Sequence, residues 1–384
     1  MISAARLAWL QLRRQKIRLA VALAGVGFAV VLMTMQLGFR DALFASAVGL
    51  HQRLDGELFL IHPHHSFLAL PRAIPRSRLY QALAFPGVEA VSPIYTGLGP
   101  FKHPVTGESR SIFVLGIDPA AHVLAMPAVD THRDELRYPD VVFYDEQSRP
   151  EFGPVAELVR AGEKIETEIG PRRVEVRRLF PLGTSFGIDG TVITSDLNFL
   201  RIFPQHTAGT ITFGLIRLAP GADLRAVHDG LAAWLPRDVQ VMTKAEFVAR
   251  EIHHWATATP IGFVFTFGVI MGITVGSIIV YQILFADISD HLAEYATLKA
   301  MGYTNRYLAG VVLAEALILA VVGFLPALGV AAWLYRVTAS ATNLPMRLAP
   351  DRAALVLALT VLMCCVSGLL AMRKLRGADP AEVF

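Results

Sequence analysis

Few residues in this chain combine the type and the spacing that chemistry requires. Its densest histidine run, His62, His64 and His65, has no cysteine or acidic companion at a ligand spacing, so a solvated loop is expected there rather than a metal site. His253 and His254 sit where a polar residue at the outer end of a span needs no further role. No H-E-x-x-H helix occurs. A G-x-x-x-x-G-K-[ST] phosphate loop is also missing, so any ATP-driven role needs a partner chain. The two cysteines, Cys364 and Cys365, are adjacent within one apolar window, which excludes a disulfide framework. The reading is therefore not an enzyme, with no catalytic residue, no metal and no cofactor on this chain.

The informative segment is Asp287 to Arg306. Leu292, Tyr295, Ala296 and either Leu298 or Lys299 follow helical spacing, and Gly302 fits the residue just past a helix C-terminus. A short, charged, amphipathic helix is expected, either suited to a groove on a soluble partner or serving as a plain connector. Three glycines, Gly268, Gly272 and Gly276, lie four apart on one helix face and permit close approach of another helix, in this chain or in a second copy. Glu315 is the one acidic residue within an otherwise apolar window. Such a carboxylate is costly in lipid, and packing or snorkelling at the inner interface is expected for it.

The elements that carry these residues follow from composition. The chain has 384 residues, 54% hydrophobic and 17% charged, too apolar for an ordinary soluble domain and too charged to lie wholly in lipid. Windows long enough to cross about 30 Å of hydrocarbon run from Leu19 to Phe39, Trp255 to Ala286, Val311 to Leu334 and Ala353 to Met372. The expected spans are residues 19–39, 260–286, 309–335 and 353–372. Pro260 falls at a span's start, where it is harmless, and Pro326 is expected to kink the third.

The overall charge of +3 conceals two opposite parts: residues 41–251 hold 21 Lys/Arg against 25 Asp/Glu, and the remainder is basic. Arg6, Arg13, Arg14, Lys16 and Arg18 precede the first span, and Arg373, Lys374 and Arg376 follow the last. By the positive-inside rule both termini are cytoplasmic, although Arg336, Arg347 and Arg352 in the last outer loop run against it. These cations lie where lipid headgroups would be, so nucleic acid is not needed to explain them. Residues 1–18 read as an amphipathic helix in the inner interface or as a basic flank. An A-x-A-like site at Ala45 to Ala47 follows the first span, but the apolar run is too long for a signal peptide, and an uncleaved anchor is expected.

This layout places residues 40–254 outside the membrane, 287–306 inside, 336–352 outside and 373–384 inside. Residues Asp41 to Leu54 suggest a continuous helical stalk. Strand, helix and strand signals at Glu57 to Ile61, Leu79 to Phe85 and Val88 to Tyr95 recur at Ile211 to Leu218, Ala222 to Leu235 and Val239 to Met242. Two such pieces suggest one α+β module, with a β-rich lobe inserted at about residues 96–210. The fold class is an α-helical membrane protein of four transmembrane helices with an α+β extracytoplasmic domain.

The run Glu294 to Gly302, followed by Glu315, resembles the signature of the FtsX-like, MacB-type ABC transporter permeases. The tail from Arg373 to Glu382 resembles that family's ending. Closer still, Leu37 to Phe44, Ser148 to Pro154, Ile193 to Phe203 and His291 to Tyr303 resemble the DevC branch. The resemblance implies a homodimeric permease in the bacterial inner membrane, with a porter-like βαβ lobe carrying the inserted lobe. It implies a DevA-like ATPase that binds ATP and Mg, a DevB-like membrane-fusion adaptor, a TolC-like outer-membrane channel and glycolipid export. Asp290, Leu292, Glu294, Tyr295, Leu298, Lys299 and Gly302 are the residues expected to couple to the ATPase. With few polar residues in the spans, transmission of motion is expected rather than a hydrophilic conduit. The rival is an FtsX-like regulator that passes ATPase motion to a periplasmic cell-wall hydrolase.

Overall fold

The computed structural model describes residues 16–342 and 344–372. The expected N-terminal amphipathic helix lies outside them up to residue 15, as does the basic tail from Arg373. Contacts divide the chain into a helical unit, Met1–Ala42 with Pro260–Thr342 and Met346–Phe384, and a sheet unit made chiefly of Leu43–Thr259.

Among the described residues, four helices are long and apolar enough to cross a membrane: Lys16–Ala47, Pro260–Asp290, Asn305–Thr342 and Pro350–Ala371. The first three run beyond the expected spans, because apolarity limits what can lie in lipid but helix propensity continues into Arg40–Ala47, Asp287–Asp290 and Arg336–Thr342. Val26, Val30, Met33, Val312, Leu319 and Met363 are buried in the unit's core. Phe28, Phe263, Phe267, Leu325, Trp333 and Leu362 point outward and are exposed. Helices apolar on every side suit a lipid solvent. Thr34, Thr266, Thr274 and Thr360 each donate a hydroxyl to the carbonyl four residues back, which satisfies them without water. The third helix continues through Pro326. At one end of the first helix, the Tyr335 hydroxyl donates to the Thr34 carbonyl at 2.5 Å, and Arg352 pairs with Asp41 at 2.5 Å.

The helix that begins at Lys16 stops at Ala47, and a separate turn, Gly49–Arg53, follows Val48. The expected continuous stalk is therefore interrupted. Val48 has φ −101° and ψ 7°, outside the helical well, and Gly49 next to it has low helix propensity.

In the sheet unit, strands are numbered in chain order: β1 Leu58–Ile61, β2 Ile74–Pro75, β3 Val88–Lys102, β4 Ser109–Ile117, β5 Val141–Asp145, β6 Ile165–Ile169, β7 Arg172–Phe180, β8 Thr191–Ser195, β9 Thr210–Ile211, β10 Phe213–Leu218 and β11 Gln240–Thr243. Nine form one sheet in the order β11-β1-β10-β3-β4-β8-β5-β7-β6, and β6 returns to β3 at Phe101 opposite Ile169. The six strands from β3 to β6 are thus closed on themselves, which leaves fewer free edges. Val88 to Ile94 of β3 pair with β10, and Tyr95 to Lys102 pair with β4. The boundary expected near residue 96 is consequently the middle of one continuous strand. Pro93 falls in the half paired only to β10, where a missing N–H is tolerated.

β1 is buried along its whole length because helices cover both faces. On one face, Leu79 and Ala82 of helix Arg76–Leu83 and Val227 and Leu231 of helix Leu224–Trp234 meet Leu58, Leu60 and Ile216. On the other, Phe247 of helix Lys244–His253 lies 5.2 Å from Phe59 and 5.5 Å from Phe213 between ring centroids. Local signals start these helices. Asp223 accepts from the Arg225 and Ala226 amides, and Thr243 with Glu246 forms a reciprocal capping box. Ser195 caps helix Asp196–Ile202 through the Asn198 amide.

Candidate functional site

The segment between the second and third long helices folds as expected in kind. Its helix is Leu292–Ala300, entered through His291, and the Asp287–Asp290 part of the segment belongs to the second long helix. The C-terminus is closed by two backbone bonds, Gly302 N–H to the Lys299 carbonyl at 3.0 Å and Tyr303 N–H to the Leu298 carbonyl at 3.1 Å. That pairing is a Schellman motif, and it places Gly302 at φ +91°, a left-handed conformation that side chains with a Cβ resist. No other residue lies within 4 Å of where a Gly302 Cβ would stand, so the need for glycine is conformational rather than steric.

The helix has two distinct faces. Tyr295 is 2% exposed and Ala296 is also buried, and Leu292 and Leu298 pack against the core of the helical unit. Ala293, Glu294, Thr297, Ala300 and Met301 are exposed. Among the seven expected coupling residues, Asp290, Glu294 and Gly302 are therefore open to a partner, while Leu292, Tyr295 and Leu298 hold the helix in place. The residues that reveal a helical period are the apolar ones, and those face the core. Lys299 is half-buried, and neither it nor Glu294 forms an ion pair among the described residues. The open stripe of small residues, with Glu294 at one end and an exposed Met301 at the other, went unread. It could have been found as the complement of the apolar stripe. A surface of this kind admits close approach of another backbone and has one fixed charge and one adaptable apolar side chain.

The glycine face turns inward within the chain. A Cβ on Gly268 would meet the Gln36 side chain, one on Gly272 would meet Met33, and one on Gly276 would meet Ala29 and Met363. The face expected to pack a helix, with a second copy as one option, packs the first long helix of the same chain. Glu315 does not snorkel. It is fully buried in the third long helix, and neither carboxylate oxygen has a hydrogen-bond partner among the described residues.

Residues 266–380 match the FtsX-like permease C-terminal family. The matched segment runs from within the second long helix through the short helix Leu292–Ala300 and onward past the fourth. The match covers less than a third of the chain, and within the described residues it takes in most of the second long helix and all of the third and fourth. No curated protein matches the chain. The solved structures similar to part of it include two outer domains of transporters. The periplasmic region of MacB from Actinobacillus actinomycetemcomitans is 12% identical over 52% of this chain and 92% of its own, with a TM-score of 0.36. The extracellular domain of the noncanonic ABC-type transporter YknZ from Gram-positive bacteria is 15% identical over 49% and 98%, with a TM-score of 0.33.

Proposed function

We propose that this chain is the permease subunit of an ABC exporter and works by passing motion from a separate ATPase to its extracytoplasmic domain. The observation that carries this reading is the two-faced helix Leu292–Ala300 inside the FtsX-like segment, fixed by Tyr295 on one side and open at Glu294 and Met301 on the other. Among the described residues the interior of the helical unit is mostly apolar, with Thr34, Glu315, Thr360 and Ser367 as isolated buried polar groups, which favours transmission over a channel. The reading places the chain in the bacterial inner membrane with both termini in the cytoplasm. The ATP and Mg sites belong to a DevA-like partner, and a DevB-like adaptor and a TolC-like channel complete the path. The DevC-like runs point to a glycolipid or another lipophilic cargo taken from the periplasm or outer leaflet by a homodimer.

The test is Glu294→Lys and Met301→Glu in the full-length chain, reconstituted with the ABC ATPase that co-purifies with it. Both side chains are exposed, so the fold should stand while stimulation of the ATPase and export fall together. Wild-type stimulation and export from both variants would refute the docking surface. Recovery of a cell-wall hydrolase or its activator, with no adaptor, would favour the regulatory reading. Comparison of lipid extracts from cells with and without this chain by mass spectrometry tests the cargo, and an unchanged lipid profile would exclude glycolipid.

A further inference from the structure

The turn that precedes the docking helix makes a contact that docking itself does not require. Arg18, near the start of the first long helix, donates from Nη2 to Asp290 Oδ2 at 2.5 Å, and its Nη1 lies 3.6 Å from Asp287 Oδ1. Asp287 is only 5% exposed, and its Oδ2 has no hydrogen-bond partner among the described residues. His291, the residue that opens the docking helix, brings Nδ1 to 3.5 Å from Asp287 Oδ1 and to 3.0 Å from the Asp287 carbonyl. A single buried carboxylate therefore joins the first long helix, the second long helix and the docking helix. Removing the cation beside such a group leaves its charge uncompensated, which is far costlier than losing an exposed pair. Arg18 also suits the place chemically. A guanidinium fork reaches two carboxylates one helical turn apart, whereas an ammonium acts as a point charge.

We infer that Arg18 is a positioning residue for coupling: it hands displacement of the docking helix to the first long helix. The inference rests on the ATPase-docking reading above. The second long helix receives such displacement through the backbone, because Asp287 and Asp290 form its last turn and His291 follows directly. The first helix has no nearby covalent link to the docking helix, and Arg18 reaches across 272 positions of sequence. In the sequence Arg18 is one cation of a basic flank. In that ordinary role it would serve anionic headgroups, and any cation at the position would do.

The experiment has two arms, both on the full-length chain in nanodiscs of phosphatidylethanolamine and phosphatidylglycerol. In the first, without ATPase, spin labels replace Ile17 and Ala293, both exposed, with Cys364 and Cys365 changed to Ala. A narrow distance distribution is expected for the parent, a broad one for Arg18→Ala, and a narrow one again for the swap Arg18→Asp with Asp290→Arg. In the second, with the co-purifying ABC ATPase, Arg18→Ala should lower stimulated turnover about tenfold at an unchanged half-saturating ATPase concentration. The swap should restore it. Arg18→Lys, which keeps the charge that sets insertion, should recover only part. An Arg18→Ala protein with narrow distances and full stimulation overturns the inference, as does a swap no better than the single change. A parent chain that stimulates no ATPase overturns the docking reading and this inference together; a parent that stimulates, matched by Arg18→Ala, overturns the inference alone.

Discussion

The Glu251→Gln change should make the sheet unit more sensitive to acid. Glu251 is 3% exposed, accepts from the Leu68 amide and the Trp255 indole at 3.0 Å each, and lies 3.6 Å from His51 Nε2. Burial raises its carboxyl from 4.5 to about 7 against the pull of those two donors. Burial, with His65 nearby, lowers His51 from 6.5 to about 3. Burial, with Arg250, His62 and His254 around it, lowers His65 to about 4. His51 is therefore neutral near pH 7, and its contact with Glu251 is not an ion pair there. Each histidine contributes stability that is present above pH 6.5 and lost as pH falls toward its folded value, because only the unfolded chain takes up the proton. Glu251 acts in the opposite sense. Its raised carboxyl contributes fully below 4.5 and is lost as pH rises through about 7, because the folded state holds its proton longer. From pH 7 to pH 5 the two histidines together cost about 4 kcal/mol and Glu251 returns about 2, so the native chain should lose roughly 2 kcal/mol. Glu251→Gln removes the returning part and should lose about 4 kcal/mol over the same interval. Native-state hydrogen exchange of the β1 amides, corrected for the intrinsic pH effect, reads both slopes. Parallel profiles for the two proteins would refute the reasoning, because Glu251 would then be ionised throughout, and a flat native profile would refute it too, because the histidines would then add no net sensitivity to acid.

Other outcomes follow from particular contacts. Gly302→Ala should destabilise the end of helix Leu292–Ala300 by about 1 kcal/mol, read as faster exchange of the amides at positions 302 and 303, because φ +91° penalises a Cβ even in open space. Gly276→Leu should loosen the helical unit by about 1–3 kcal/mol through collision with Ala29 and Met363. Gly329→Ala, where a Cβ meets nothing, should be neutral or slightly stabilising; thermal unfolding in detergent separates the pair. Tyr335→Phe should cost about 1 kcal/mol by removing the hydroxyl that donates to the Thr34 carbonyl, and an unchanged midpoint would show that bond to be unimportant.

Periodicity and charge in the sequence alone determined the four long helices, the short helix between the second and third, and the glycine at its end. These are local properties: an apolar run longer than a bilayer, a repeat near 3.6 residues and one left-handed position can each be read along the chain. The strand order was not readable. β3 looked like a strand ending near residue 96, but its second half is held by β4 and by one contact with β6, and pairing across such separations leaves no mark in its own residues. Tyr295 and Glu294 are neighbours in sequence with opposite roles, and only packing shows which of them faces the core. Tertiary structure alone also decided that Gly268, Gly272 and Gly276 serve the first helix of this chain, that Glu315 is sealed rather than snorkelled, and that Arg18 meets Asp287 and Asp290. A basic flank reads the same whether its arginine touches a headgroup or a carboxylate. The fold makes the difference, by bringing a buried acidic turn within reach of one arginine among several.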